Sequence, residues 1–191
     1  EETIEVNTYM EPILSTLSQD YSHKAFNNLF MSFEFLENMD TIVAKRRARD
    51  SKVSDMYMAV NLYTENETVG KLEFELDKEK FVGRQNFELP IAVKDSIPLG
   101  RKMKRTTDPI IAIRRTINIL PGEKVVLNLI IAVSENRDKA ISLVQECRNN
   151  EIITRNMNLA KAKVEAESMY LGIKAVNIEN LDISNHQLLI F

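Results

Sequence analysis

The sequence predicts a mainly-β protein, an antiparallel β-sandwich followed by a helical linker. Three observations predict it. Apolar residues alternate with polar ones at period two through most of the first 133 residues. Short turn-forming clusters separate these runs. After Val133 the apolar spacing changes to that of helices. Strands first and helices afterwards define a sheet layer with a helical appendage.

The stretch 108–133, DPIIAIRRTINILPGEKVVLNLIIAV, is the strongest strand signal. Ile111, Ile113, Ile117 and Ile119 share one parity, with Ala112, Arg114, Thr116 and Asn118 between them. Beyond Pro121-Gly122-Glu123-Lys124, the residues Val125, Leu127, Leu129, Ile131 and Val133 are again odd. The spacing predicts a long hairpin with its odd face towards a core. Arg115 falls on the apolar parity, so either a bulge turns it outwards or a partner holds it inside.

The remaining elements follow in order. Residues 3–17 alternate as a strand that Pro12 interrupts. Residues 18–28 read as a polar connection, 29–36 as a second strand, and 41–44 as a third running into Lys45-Arg46-Arg47-Ala48-Arg49. Residues 57–63 and 69–76 read as a hairpin turning through 64–68. Residues 77–93 lack clean alternation and read as an ordered, irregular loop, a segment type that carries function more often than strands do. Residues 97–107 are polar and basic. Ser134 or Asn136 caps a helix to about Arg148 with Ile141, Val144 and Cys147 on one stripe. A longer helix runs from about Glu151 to Tyr170, with Ile153, Met157, Ala160 and Val164 as its buried face, and Gly172 stops it.

Composition bounds the function. The chain has 191 residues, 44% apolar and 28% charged, with a net charge of -3. That balance argues against nucleic acid as a partner. One cysteine, Cys147, excludes an internal disulfide and fits a reducing, cytoplasmic compartment. No apolar run approaches the roughly 20 residues of a membrane-spanning helix. The chain does not begin with Met and ends on Leu188-Leu189-Ile190-Phe191, so it reads as an excerpt of a longer polypeptide.

Six motifs in order, EVNTYMEPIL (5–14), HKAFNNLF (23–30), AKRRARDS (44–51), FELDKEKFVGR (74–84), DPIIAIRRTINILPGEKV (108–125) and AVSENRDKAISLVQECR (132–148), resemble the amino-terminal sandwich domain of glycoside hydrolase family 94. The resemblance is nearest to cyclic β-1,2-glucan synthases and 1,2-β-oligoglucan phosphorylases. It implies a large "super-sandwich" domain of antiparallel strands over 1–133, a helical linker over 134–172, and at 173–191 the start of an (α/α)6 barrel that holds the family's catalytic carboxylate and phosphate site. The implied reaction of the parent is inverting phosphorolysis or transfer of β-glucosidic bonds, with inorganic phosphate as co-substrate and no other cofactor. The implied partners are a β-glucan oligosaccharide, the barrel of the same polypeptide and a second subunit in a homodimer.

No catalytic residue and no metal site is expected within the chain: His23 and His186 are far apart and no Cys/His/Asp spacing fits a metal. Glu73, Glu75 and Asp77 repeat at a spacing of roughly 6.6 to 6.8 Å, within reach of an inverting carboxylate pair. A solvated strand face explains them better. The candidate substrate-binding residues are Phe81, Arg84 and Gln85, beside Gly83. Arg84 offers planar charged donors for sugar hydroxyls or phosphate, and Phe81 an apolar face for a pyranose. The basic run at Lys45, Arg46, Arg47 and Arg49 reads as a charged strand end. The alternative to an accessory domain is a free-standing carbohydrate-binding module, which lacks Trp and would have to use Tyr21, Tyr57, Tyr63 or Phe87.

Overall fold

The computed structural model describes residues 2–48, 54–84 and 89–172. Two antiparallel sheets face each other. The first has the order β1-β6-β5, from β1 (Glu2–Met10), β6 (Pro109–Ile119) and β5 (Thr68–Asp77). The second has the order β2-β3-β4-β7, from β2 (Met31–Leu36), β3 (Thr41–Arg46), β4 (Met56–Tyr63) and β7 (Asn128–Ser134). The mainly-β sandwich expected from the alternation is therefore the observed class. Between the sheets lie Ile42, Ala44, Val60, Leu62, Leu72, Phe74, Leu76, Ile111 and Ile113. Each large side chain buried there contributes roughly 1.5–3 kcal/mol. Phe74 of β5 meets Phe35 of β2 with ring centroids 4.7 Å apart, which sets β5 over β2.

Strand β6 explains its own composition. Ile111 and Ile113 face the second sheet, while Ile110 and Ala112 face a helical cover formed by α2 (Lys78–Val82) and α3 (Ile91–Lys94). Both faces are covered, so the strand is apolar at nearly every position up to Ile113. The segment expected to be an irregular loop thus contains two short helices. Phe81, Ala92, Leu99, Ile110 and Ala112 form the layer between helices and sheet.

Neither expected hairpin forms. β6 already has β1 and β5 on its two edges, so β7 cannot pair with it and instead extends the other sheet beside β4. Likewise β4 and β5 belong to different sheets. Both turns carry the chain across the sandwich, as in a Greek key rather than a meander. The odd face of β7 does turn inwards, but it is not the buried one. Ile130 and Ala132 are buried on its outer face beneath α4 (Arg137–Glu146), whereas Leu129, Ile131 and Val133 are 41, 48 and 46% exposed. They lie on the inner side, where the narrower sheet does not reach.

Arg115 keeps its inward parity. The bulge is in the neighbouring strand, where β5 gains residues between Val69 and Glu73 at Gly70 (φ 71°). Arg115 donates to Asp40 Oδ2 at 2.8 Å and to the Leu62 carbonyl at 3.3 Å.

Residues 18–28, expected as a connection, belong to helix α1 (Leu17–Asn28), kinked at His23. Thr16 Oγ1 accepts from Gln19 N–H at 3.3 Å, which is half of a Thr-x-x-Gln capping box. Helix α4 starts at Asn136, whose side chain accepts from Lys139 N–H, and it buries Ala140 and Val144 on the sheet. Cys147 packs half-buried at its end. The compact sandwich unit accordingly extends to Arg148, and the helical segment expected to start at 134 divides. A second unit holds α5 (Asn150–Tyr170), capped by Asn149. No residue of α5 is buried, and on its expected buried face Met157 is 68% and Val164 46% exposed. Residues 173–191, expected to begin a barrel, lie outside the described residues.

Candidate functional site

A cleft of about 590 Å³ opens where β1 ends, α2 begins and the basic segment enters β6. Tyr9, Glu11, Lys78, Glu79, Arg84 and Asp108 line it. Strand β1 delivers Tyr9 on its outward parity, with Glu5 and Asn7. The ring is 50% exposed and rests on Phe81, centroids 5.3 Å apart and tilted by 52°. Asp77 caps α2 by accepting from Glu79 N–H at 3.1 Å, and this places Lys78 and Glu79 at the cleft mouth. Gly83 ends α2 at φ 85°, a conformation that L side chains rarely adopt, and turns Arg84 back along the helix.

Arg84 Nε donates to Glu79 Oε1 at 2.7 Å, and both side chains are well exposed. The other donors of the guanidinium make no hydrogen bond among the described residues. At the floor, Glu11 bridges the ammonium groups of Lys24 and Lys78. Those hydrogen bonds, Lys24's first, hold the Glu11 carboxyl below its ordinary value, and Glu11 in turn raises Lys78. Asp108 lies 4.0 Å from Lys78 on the far wall. The cleft therefore offers one exposed aromatic face, a ring of alternating charges and abundant donors and acceptors.

Of the sequence-predicted site residues, Arg84 is on the cleft and exposed. Phe81 is not available to a ligand, because its side chain is 0% exposed beneath Tyr9. The exposed aromatic on the cleft is Tyr9, which the sequence reading missed. The signal was present: Tyr9 sits on the polar parity of β1, where an aromatic is out of pattern. Gln85 lies outside the described residues, as does Phe87.

The three strand carboxylates are engaged structurally. Glu73 accepts from Leu99 N–H at 2.8 Å, Glu75 from Leu76 and Asp77 N–H at 3.0 and 3.2 Å, and Asp77 caps α2. Leu72, Phe74 and Leu76 between them are buried. Lys45 pairs with Asp55 at 2.7 Å, and Arg46 turns inwards to Asn27 at 3.2 Å. Tyr57 and Tyr63 lie under Lys45 and Arg148 respectively, and Tyr21, 86% exposed, stands on α1 away from these rings. Among the described residues no cluster of three metal-ligating side chains occurs, and no helix is long and apolar enough to cross a membrane.

Fold and cleft together define a two-sheet β-sandwich domain with a helical cover and a polar surface cleft. The chain belongs to the glycosyl hydrolase 94 supersandwich domain family, whose sequence model matches residues 1–150. It is also similar to the cyclic beta-(1,2)-glucan synthase NdvB of Rhizobium meliloti (strain 1021), at 26% identity over 172 residues. That alignment covers 89% of this chain and 6% of the relative, so the chain spans a small fraction of that protein's length.

Proposed function

We propose that this chain is a non-catalytic, carbohydrate-associated sandwich domain of a β-glucan phosphorylase or cyclic β-1,2-glucan synthase. It shapes one margin of a saccharide site whose reacting groups another domain supplies. The observation that carries the reading is the exposed Tyr9 ring, propped by buried Phe81 and flanked by Arg84 at the mouth of the cleft. A pyranose stacked on Tyr9 sets its equatorial hydroxyls within reach of Arg84 and Glu79. The partner domain is an (α/α)6 barrel in the same polypeptide. The parent reaction is inverting phosphorolysis or transfer of β-glucosidic bonds, with inorganic phosphate as co-substrate. Membership of the family and the similarity to a glucan synthase support this assignment.

The test is kinetic, in the polypeptide that carries the sandwich together with its catalytic domain. Tyr9→Ala removes an aromatic contact worth about 1 kcal/mol, and Arg84→Ala a charged hydrogen bond that already has Glu79 as competitor. Each is expected to raise KM for β-1,2-linked gluco-oligosaccharides about five- to tenfold. The kcat stays unchanged in both variants, and the melting temperature in Arg84→Ala. Unaltered KM in both variants would remove the cleft from the saccharide site.

A further inference from the structure

The motifs HKAFNNLF (23–30) and AKRRARDS (44–51) put no described residue on the lining of the cleft. Asn27 of the first meets Arg46 of the second on the buried side of α1, where each is 8% exposed. Arg46 Nη2 donates to Asn27 Oδ1 at 3.2 Å and to Gln19 Oε1 at 3.4 Å. Asn27 Nδ2 donates to the Gln19 carbonyl, eight residues earlier, at 2.6 Å. In an unbroken helix eight residues advance about 12 Å along the axis, too far for an asparagine side chain to reach back. The Asn27–Gln19 bond therefore exists only because α1 is bent, at His23, where φ is -150° and ψ is 51°. Arg46 touches both halves of the bent helix through one nitrogen.

The bend sets where the second half of α1 points. From that half Lys24 reaches Glu11, and Asn28 Nδ2 donates to the Thr107 carbonyl at 3.2 Å. Glu11 and Thr107 both line the cleft. We infer that Asn27, clasped by Arg46, is a positioning residue for the cleft: it staples α1 in its bent form, so that Lys24 braces the floor and Asn28 one wall. The charge balance of the floor depends on this staple. Glu11 faces Lys24 from α1 and Lys78 from α2, with Asp108 and Tyr9 beside Lys78. Two carboxylates and two ammonium groups balance there. With α1 straight, Lys24 withdraws and the floor becomes anionic, which attracts cations into a cleft that otherwise offers them no advantage. The inference rests on the cleft being the site proposed above. Its test reads the cleft's own carboxylate and uses no saccharide, so the two fail separately.

The experiment is an NMR titration of the Glu11 side-chain carboxyl in the 191-residue chain, with melting temperatures read alongside. Lys24 holds that carboxyl below its ordinary 4.5, so Lys24→Met is expected to move it up. Asn27→Leu, a neutral change of similar shape, is expected to give at least half of that rise, and Asn27→Ala the same. In the Lys24→Met background neither Asn27 variant should move Glu11 further. A Glu11 titration untouched by both Asn27 variants overturns the inference, whatever the melting temperature does, and makes Asn27 a purely structural residue. A rise that persists undiminished in the Lys24→Met background overturns it as well. The unaltered chain gives a reading that needs no variant. The three-bond HN–Hα coupling of His23 should be large, as a φ of -150° requires, and a small helical coupling overturns the bend.

Discussion

Replacing Asp40 by Asn should destabilise the sandwich through a residue on the other sheet. Arg115 is 9% exposed and its guanidinium is 2.8 Å from Asp40 Oδ2. Stripping the partner from a buried charge costs about 3–5 kcal/mol. Two features reduce this. The Asp40 side chain is 31% exposed, so water replaces part of its field, and Asn keeps an acceptor and tolerates the left-handed φ of 48° at this position. The expected loss is about 2 kcal/mol. Arg115→Met removes the charge itself and leaves a carboxylate that water can reach, so it should cost only about 1 kcal/mol. The double variant should then be no worse than Arg115→Met, whereas independent effects would sum to about 3 kcal/mol. Urea unfolding of the four proteins at neutral pH, followed by circular dichroism, measures the cycle. Single losses that add to within about 0.5 kcal/mol would refute the argument, since Arg115 would then be compensated by something other than Asp40.

Two further outcomes follow from buried and bridging charges. Glu11 has its carboxyl lowered below 4.5 by Lys24 and Lys78, so its contribution to stability is present above that value and disappears as pH falls through the folded-state pKa. Glu11→Gln should therefore lower the melting temperature at neutral pH and leave it unchanged near pH 2, and an equal loss at both would contradict the bridge. Arg114 is 2% exposed at its side chain and donates to Asn7 Oδ1, the Ile97 carbonyl and the Ala92 carbonyl at 2.8, 3.0 and 2.8 Å. Arg114→Lys keeps the charge but not the fork, and should cost about 2 kcal/mol while accelerating amide exchange over residues 91–99; unchanged exchange there would show that the fork does not pin α3.

Strands were legible in this sequence where alternation was strong, but their partners were not. The runs at 109–119 and 128–134 are both strands, as their β-branched content and spacing require. Period two states that one face differs from the other and is silent on which neighbour supplies the edge hydrogen bonds. A turn such as Pro121-Gly122 is compatible with a hairpin and with a crossing between sheets, and the choice depends on whether β1 and β5 already occupy both edges of β6. Parity misled for a related reason. On β7 both faces are apolar over 129–133, and only α4, which is non-local, decides that Ile130 and Ala132 are buried. Helix α1 was a different kind of miss, because its Thr16-to-Gln19 cap was visible and its polar composition outweighed it.

The site shows how burial redistributes roles among neighbours that look alike in sequence. Phe81 and Arg84 are three residues apart and were expected to act together on a ligand. Helix α2 places them on different sides: Phe81 enters the layer with Ala92, Leu99, Ile110 and Ala112, and Arg84 follows Gly83 out to solvent. Buried Phe81 has no face open to a ligand, but it backs the exposed ring of Tyr9. Tyr9 is on an edge strand whose outward side is otherwise polar, and without a rigid surface behind it the ring would lie against the strand or swing freely. Phe81 supplies that surface at 5.3 Å. The 11-residue motif at 74–84 supplies one side of the cleft, but its exposed aromatic comes from β1, far earlier in the chain, because β1 and β5 flank the same central strand. The order β1-β6-β5 is what makes the cleft: it carries the end of the first strand to the start of α2 on one face of the first sheet. A substitution in β6 that loosened either edge would separate Tyr9 from Arg84 without touching a residue of the cleft.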